Sequence, residues 1–356
     1  MQTENSNPFA ALTFRRLLVP IVVTIITTGY LIYLLSKSDF SATKDIELTW
    51  RLFYFLLLAL GTVLLRDAAY VYRIWELSDR KLSLWKSIEV ILLWEFGSAI
   101  TPASVGGVSL AFFILYKEGI KPGMATSILM LCSYLDNVAF IIAFGSLFFL
   151  LGGTMFDLSA DCGNFGQLTA VRAFRALGEY IWLGILAVTF FGSLLGFAIF
   201  IRPQYSSIVL NKIATLPILN KWSLQIKGIG EDIYTTSKFF KNKGQLFLLR
   251  VLMATLISWT ARYFLANVLI AAFASGDIDQ LFLFGRQCVH RVIVMIPATP
   301  GASGLAELSF MALNCEFVKE GIIPLIALIW RGLNFYIYII IGILVLPGWL
   351  ARVSKN

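Results

Sequence analysis

Apolar positions in this chain come in long uninterrupted runs, not in the narrow stripes of a water-soluble helix or strand. Leu17–Ser36, Leu52–Leu77, Met124–Leu151, Ala176–Ile201, Leu246–Ala274 and Leu325–Leu350 each hold twenty or more residues. About 20 apolar residues in a helix span the hydrocarbon core of a bilayer, so six crossings are predicted. The first run follows Arg15 and Arg16, is too long for a signal-peptide core and precedes no small-residue cleavage pattern. It is expected to stay as an uncleaved span.

Two further runs are interrupted. Ser87–Tyr116 is broken at Thr101-Pro102 and again at Gly106-Gly107; Leu281–Asn314 is broken at Pro297, Pro300-Gly301 and Gly304. The flanking pieces, roughly 10–16 residues, are short for a crossing. Pro removes a helical N–H and Gly loosens the backbone. Such a break is tolerated at membrane depth only where protein or a water-filled cavity satisfies the freed groups. Each run is therefore expected to be a re-entrant hairpin that enters and leaves on one side. The fold class is all-α and polytopic.

Composition agrees. Of 356 residues, 58% are hydrophobic and 14% charged, against about 25% charged in a soluble domain; mean hydropathy is +0.79. A net charge of +8 on a soluble chain would suggest nucleic acid, but no soluble basic domain exists to bind it. On a membrane protein, Lys and Arg gather in cytoplasmic loops. With the N-terminus cytoplasmic, inside segments carry sixteen Lys and Arg and outside segments six, so N-in and C-in is expected. The inside loop 202–245 is basic; Ile208–Ile213 and Leu224–Phe240 within it could form interfacial helices, as a solvated loop or as a surface for anionic headgroups. Cys132, Cys162, Cys288 and Cys315 form no CxxC pair and read as small hydrophobes, not as a disulfide framework; with His290 the only histidine, no metal site or cofactor is expected.

The broken runs resemble each other. Thr101-Pro102-Ala103-Ser104-Val105-Gly106-Gly107-Val108-Ser109-Leu110-Ala111-Phe112 matches Thr299-Pro300-Gly301-Ala302-Ser303-Gly304-Leu305-Ala306-Glu307-Leu308-Ser309-Phe310 at five of twelve positions, where about one is expected by chance. Lys117-Glu118-Gly119-Ile120 and Lys319-Glu320-Gly321-Ile322 follow. Three crossings separate the hairpins, so the second is inverted. The chain divides into halves 1–165 and 166–356, each reading span, span, hairpin, span, the inverted-repeat plan of many transporters.

Charges interrupt the spans, and each is expensive at the bilayer centre. Arg66, Asp67, Glu89, Glu95, Asp136, Arg262, Arg286, His290, Arg291, Glu307 and Arg331 all lie in predicted membrane segments. Arg286 and His290, four apart, share a helix face, and Glu307 is expected to face back toward that arm. These charges are either structural ion pairs or an arginine-lined cavity for an anionic group such as a lipid phosphate. No phosphate loop, nucleophile elbow or metal cluster is visible. A Glu/His/Arg set could still perform acid–base chemistry on a headgroup, which leaves a membrane transferase as an alternative.

The segment Ile296-Pro297-Ala298-Thr299-Pro300-Gly301-Ala302-Ser303-Gly304-Leu305-Ala306-Glu307 resembles the P-x-x-P-G-G-x-G-x-x-E signature of the lysylphosphatidylglycerol synthase transmembrane (flippase-like) family. Arg331 matches that family's Arg in the last helix, Thr101-Pro102 through Gly107 its earlier Pro-Gly motif, and Asp136 its downstream Asp. Ala302 and Ala103 stand where Gly is usual. The resemblance implies a multi-pass protein of the plasma (inner) membrane. Up to Asn356 no soluble aminoacyl-transferase domain follows, so the resemblance implies the lipid-translocating part alone. Membrane lipids are the expected partners, and a separate lipid-modifying enzyme is the partner if the chain is instead an accessory subunit.

Overall fold

A computed structural model describes residues 49–101, 103–156, 181–196, 203–216, 223–241, 243–274, 276–295, 299, 301–319 and 321–354, with a few positions between 22 and 33. Among them every element is helical. The chain order is α1 (Trp50–Leu77), α2 (Leu84–Ile100), α3 (Ala103–Lys117), α4 (Pro122–Leu151), α5 (Ile181–Gly196), α6 (Pro203–Ile213), α7 (Ser223–Lys241), α8 (Gln245–Phe273), α9 (Gln280–Val294), α10 (Leu305–Asn314), α11 (Ile323–Arg331) and α12 (Ile337–Val353). A π-helical turn, Gly332–Tyr336, joins α11 and α12 into one helix, Ile323–Val353.

Four helices are long and apolar enough to cross a membrane: Trp50–Leu77, Pro122–Phe156, Gln245–Phe273 and Ile323–Val353. They begin and end within a few residues of four expected spans. The span expected at Leu17–Ser36 lies almost wholly outside the described residues, and of Ala176–Ile201 only α5 is described. The caps are local: the Thr49 hydroxyl accepts from Leu52 N–H at the start of α1, and Pro122 opens α4 from a position where a missing N–H leaves nothing unsatisfied.

The broken runs fold back on themselves. α2 ends at Ile100 and α3 starts at Ala103. Lys86, in the first turn of α2, bridges Glu118, just past α3, at 2.9 Å. The expected second break at Gly106-Gly107 is absent, because α3 runs through both. Gly107 instead lets α3 approach α2, since a Cβ there would overlap Ser98. In the second run, α9 stops at Val294 and α10 starts at Leu305; Gln287 meets Asn314 at 3.2 Å. Pro102, Pro297 and Pro300 lie outside the described residues.

The arms of the two hairpins reach opposite ends of the bundle. At one end lie Lys86, Glu118 and Arg352, together with the Lys243–Asp79 pair at 2.6 Å. At the other, Arg51 donates to the Ala271 and Ala274 carbonyls, and Asn267 to that of Gln280 at the start of α9. The breaks come together between these ends: a Cβ on Gly301 would overlap the Phe335 ring and stand 3.1 Å from the Ala99 carbonyl oxygen at the end of α2. Gly301 has φ +56°, which an L side chain rarely adopts. The repeated Lys-Glu-Gly elements also share backbone, with Gly119 at φ 88° and Gly321 at φ 89°. Cys132 and Cys288 are free and buried, as small core residues should be. Cys315 is disulfide-bonded, which corrects the reading of all four cysteines as unpaired; it lies beyond the end of α10, not inside an apolar helix.

Glu118 fastens one end of the bundle. Burial raises its carboxyl pKa, but hydrogen bonds from Lys86, Trp349 and Arg352 outweigh this and hold it below its ordinary 4.5. A depressed folded pKa stabilises the fold fully above the unfolded value, and that contribution is lost as pH falls through the folded value. Glu118→Gln is therefore expected to cost about 1–3 kcal/mol at neutral pH. Thermal unfolding in detergent should show the gap to the parent protein closing below pH 4.5; a gap independent of pH would contradict this assignment.

Candidate functional site

The break in the second hairpin is held by one arginine. Arg331 Nε lies 2.7 Å from Glu307 Oε1, and its Nη2 donates to the Gly301 carbonyl at 2.6 Å and to the Ser303 hydroxyl at 3.0 Å. The guanidinium stacks on Phe335 at 3.7 Å. Glu307 Oε2 accepts from Gly304 N–H at 2.7 Å, satisfying an open donor at the start of α10. Thr299 Oγ1 donates to the Ser303 carbonyl at 2.7 Å. Glu307 thus faces Arg331 on α11, not the α9 arm toward which it was expected to turn, because capping fixes its direction. Arg331 and Glu307 are 6% and 2% exposed.

Two residues of the α9 arm face α10. Arg286 pairs with Glu316 at 2.7 Å and donates to the Leu313 carbonyl, with its guanidinium over Phe282 at 4.6 Å. His290 Nε2 is 3.0 Å from the Ala306 carbonyl oxygen, and its ring meets Phe310 and Trp330 edge-on. Arg291, one position on, points away toward α4 and α8.

The other charges converge where α1 packs on α8, the most extensive helix pairing described. Arg66, Tyr70 and Arg73 recur at four- and three-residue steps and share a face of α1. Arg66 binds Asp67 Oδ1 at 3.0 Å and Asn334 at 2.6 Å, and donates to the Tyr338 hydroxyl. That hydroxyl donates to Asp67 Oδ2 at 2.7 Å. Arg73 pairs with Asp136 of α4 at 2.5 Å, whose carboxylate also accepts from Trp259 Nε1 at 2.8 Å. Arg262 pairs with Glu95 of α2 at 2.5 Å. Arg73 and Arg262 both lie over the Tyr70 ring, and Arg262 and Arg291 over the Trp259 ring, Arg291 at 3.6 Å.

This seam differs from the Arg331 knot in access and in balance. Asp67, Glu95, Asp136 and Arg262 remain 19–27% exposed. Four arginines (66, 73, 262, 291) face three carboxylates (67, 95, 136), and among the described residues Arg291 has no carboxylate within 4 Å. Sequence reasoning missed Arg73, Tyr70, Trp259, Asn334 and Tyr338. Arg73 alone carried a signal, seven residues beyond Arg66 on one helix face. A cavity of about 360 Å³ opens between α3 and α4, walled by Val108, Phe112, Leu129 and Met130 with the hydroxyls of Ser109, Thr126 and Ser133. None of the candidate arginines lines it.

Breaking a buried ion pair by removing one partner is strongly destabilising. Arg331→Met and Glu307→Leu should each lower stability by about 3–5 kcal/mol, and the double variant by clearly less than their sum. Unfolding in detergent measures this. Strict additivity would show that the two residues are not coupled.

The family profile described as "Lysylphosphatidylglycerol synthase TM region" matches residues 17–342. A "UPF0104 membrane protein" of Archaeoglobus fulgidus is 22% identical over 263 residues, covering 74% of this chain and 75% of the relative. No solved structure matches. The matched region takes in both broken hairpins, the charged seam and Arg331, and the chain belongs to the lysylphosphatidylglycerol synthase transmembrane-region family.

Proposed function

We propose that this membrane protein moves the polar headgroup of an anionic lipid between leaflets, as a flippase-like transporter. The candidate cargo is a phospholipid, an aminoacylated phospholipid or a polyprenyl-phosphate-linked lipid. The observation that carries this reading is the seam between α1 and α8, where charged groups at membrane depth keep partial access and arginines outnumber carboxylates. Buried charges that serve only structure are paired and closed off; the Arg331–Glu307 pair is of that kind on both sides, and the Arg66 and Arg286 guanidiniums are themselves closed off although their partner carboxylates are not. Arg262 and Arg291, flanked by Trp259, are the phosphate contacts in this reading. Asp67, Glu95 and Asp136 hold the arginines in place when no lipid is bound, or meet a cationic group on the lipid.

Architecture supports alternating access. The reading takes the chain as N-in and C-in, with halves 1–165 and 166–356 inverted and the two re-entrant hairpins opening to opposite sides. Contact between Gly301 and the end of α2 puts both breaks next to each other. Movement of one hairpin would then be felt at the tip of the other.

Liposomes carrying a fluorescent anionic lipid test the reading. The protein should accelerate exchange between leaflets, and Arg291→Gln or Arg262→Gln should slow it at least about tenfold, equivalent to ~1.4 kcal/mol in the barrier. Equal rates with and without protein across several lipid classes would overturn the reading. Substitution of Arg286 is expected to act through stability, so its folded fraction should retain transport.

A further inference from the structure

The helices α6 and α7 serve no part of the seam, yet their surfaces are unusual. They pack against each other, and α7 packs on α4. Thr236 Oγ1 donates to Ser127 Oγ of α4 at 3.1 Å, Gly123 lies against Thr235, and Phe240 is buried. A few residues beyond α7 the chain enters α8, a membrane-length helix, and Lys243 is held to Asp79 beyond the end of α1 at 2.6 Å. The hairpin is thereby fixed at the end of the bundle where α1 stops and α4 and α8 begin. Neither α6 nor α7 is long and apolar enough to cross a membrane.

Both helices nevertheless expose large apolar side chains. Ile208, Leu224 and Tyr234 are 52%, 84% and 44% exposed. Each is followed on the same helix face, three or four residues on, by an exposed lysine: Lys212, Lys227 and Lys238. Lys241 extends the row, and Glu231 is an exposed acid beside it. An apolar side chain next to a snorkelling lysine suits neither water nor hydrocarbon. It suits a boundary where acyl chains lie below and phosphates above.

We infer that α6 and α7 form an interfacial clamp that holds the phosphates of anionic lipids in the adjoining leaflet through Lys212, Lys227, Lys238 and Lys241, with Ile208, Leu224 and Tyr234 inserted beneath them. The partner is an anionic lipid surface. The inference does not depend on lipid movement through the seam, because it concerns a separate face of the protein. An anionic bilayer attracts each nearby lysine, and the attraction fades with salt.

The test uses the full chain carrying Leu224→Cys labelled with an environment-sensitive fluorophore; Cys132 and Cys288 are buried. The protein is reconstituted in vesicles of phosphatidylcholine alone or mixed with phosphatidylglycerol. Emission should be blue-shifted, with quenching by spin-labelled lipid at least about threefold stronger in the mixed vesicles. Lys212→Gln, Lys227→Gln, Lys238→Gln and Lys241→Gln combined should abolish that difference, as should molar salt with the lysines intact. Water-like emission in every vesicle would overturn the inference. So would a blue shift indifferent to phosphatidylglycerol, to the lysines and to salt, which would show an interfacial hairpin without selectivity for anionic lipid.

Discussion

Arg331 binds Glu307, the Gly301 carbonyl and the Ser303 hydroxyl at once. A bilayer offers no water to backbone groups freed by a broken helix, so the second hairpin can exist only if protein supplies those partners. One guanidinium, with its donors in a rigid fork, ties the break to the last membrane-length helix. Glu307 then carries the restraint on to the first turn of α10 through Gly304 N–H. The position of Gly301 against Ala99 and Phe335 follows from this knot, and with it the meeting of the two breaks.

The same solvent constraint sorts the remaining charges into two populations. Arg66 and Arg286, like Arg331, are nearly inaccessible and satisfied by carboxylates, carbonyls or hydroxyls. They hold helices together. Asp67, Glu95, Asp136 and Arg262 are paired but remain partly open, and Arg291 rests on an indole in place of a carboxylate. In the transport proposed above, a pair of that second kind would exchange its partner for a passing headgroup without leaving a bare charge in a dry site. On the proposed function, ion pairing and headgroup binding would be successive states of these same groups.

Much of the helical layout was legible because membrane length is a hard constraint: Leu52–Leu77 and Leu246–Ala274 differ by only a few residues from α1 and α8. The break at Thr101 was legible because Pro removes a helical N–H and biases the residue before it away from helix, and α2 does end beside it. Gly106-Gly107 misled, since α3 runs through both and Gly107 serves close packing against Ser98, not a break. Pairing was the least legible. Nothing local shows that Glu307 turns to Arg331, 24 residues away, or that Arg262 reaches back to Glu95. Such contacts depend on how helices are juxtaposed, and aromatic supports such as Trp259 and Tyr70 look like ordinary span residues until neighbours surround them. The two Lys-Glu-Gly elements left a trace in the backbone, because Gly119, after α3, and Gly321, before α11, both take the positive φ that glycine adopts readily.

The central claim is that lipid headgroups pass along the α1–α8 seam. A photoreactive group on the headgroup of an anionic lipid, activated in proteoliposomes and mapped by peptide mass spectrometry, tests this most directly. Cross-links at Trp259–Arg262 on α8 and around Arg291 on α9, suppressed by excess unlabelled anionic lipid, are the result expected. Cross-links confined to outward-facing positions such as Leu64 and Ile343, with the seam unlabelled, would contradict the account.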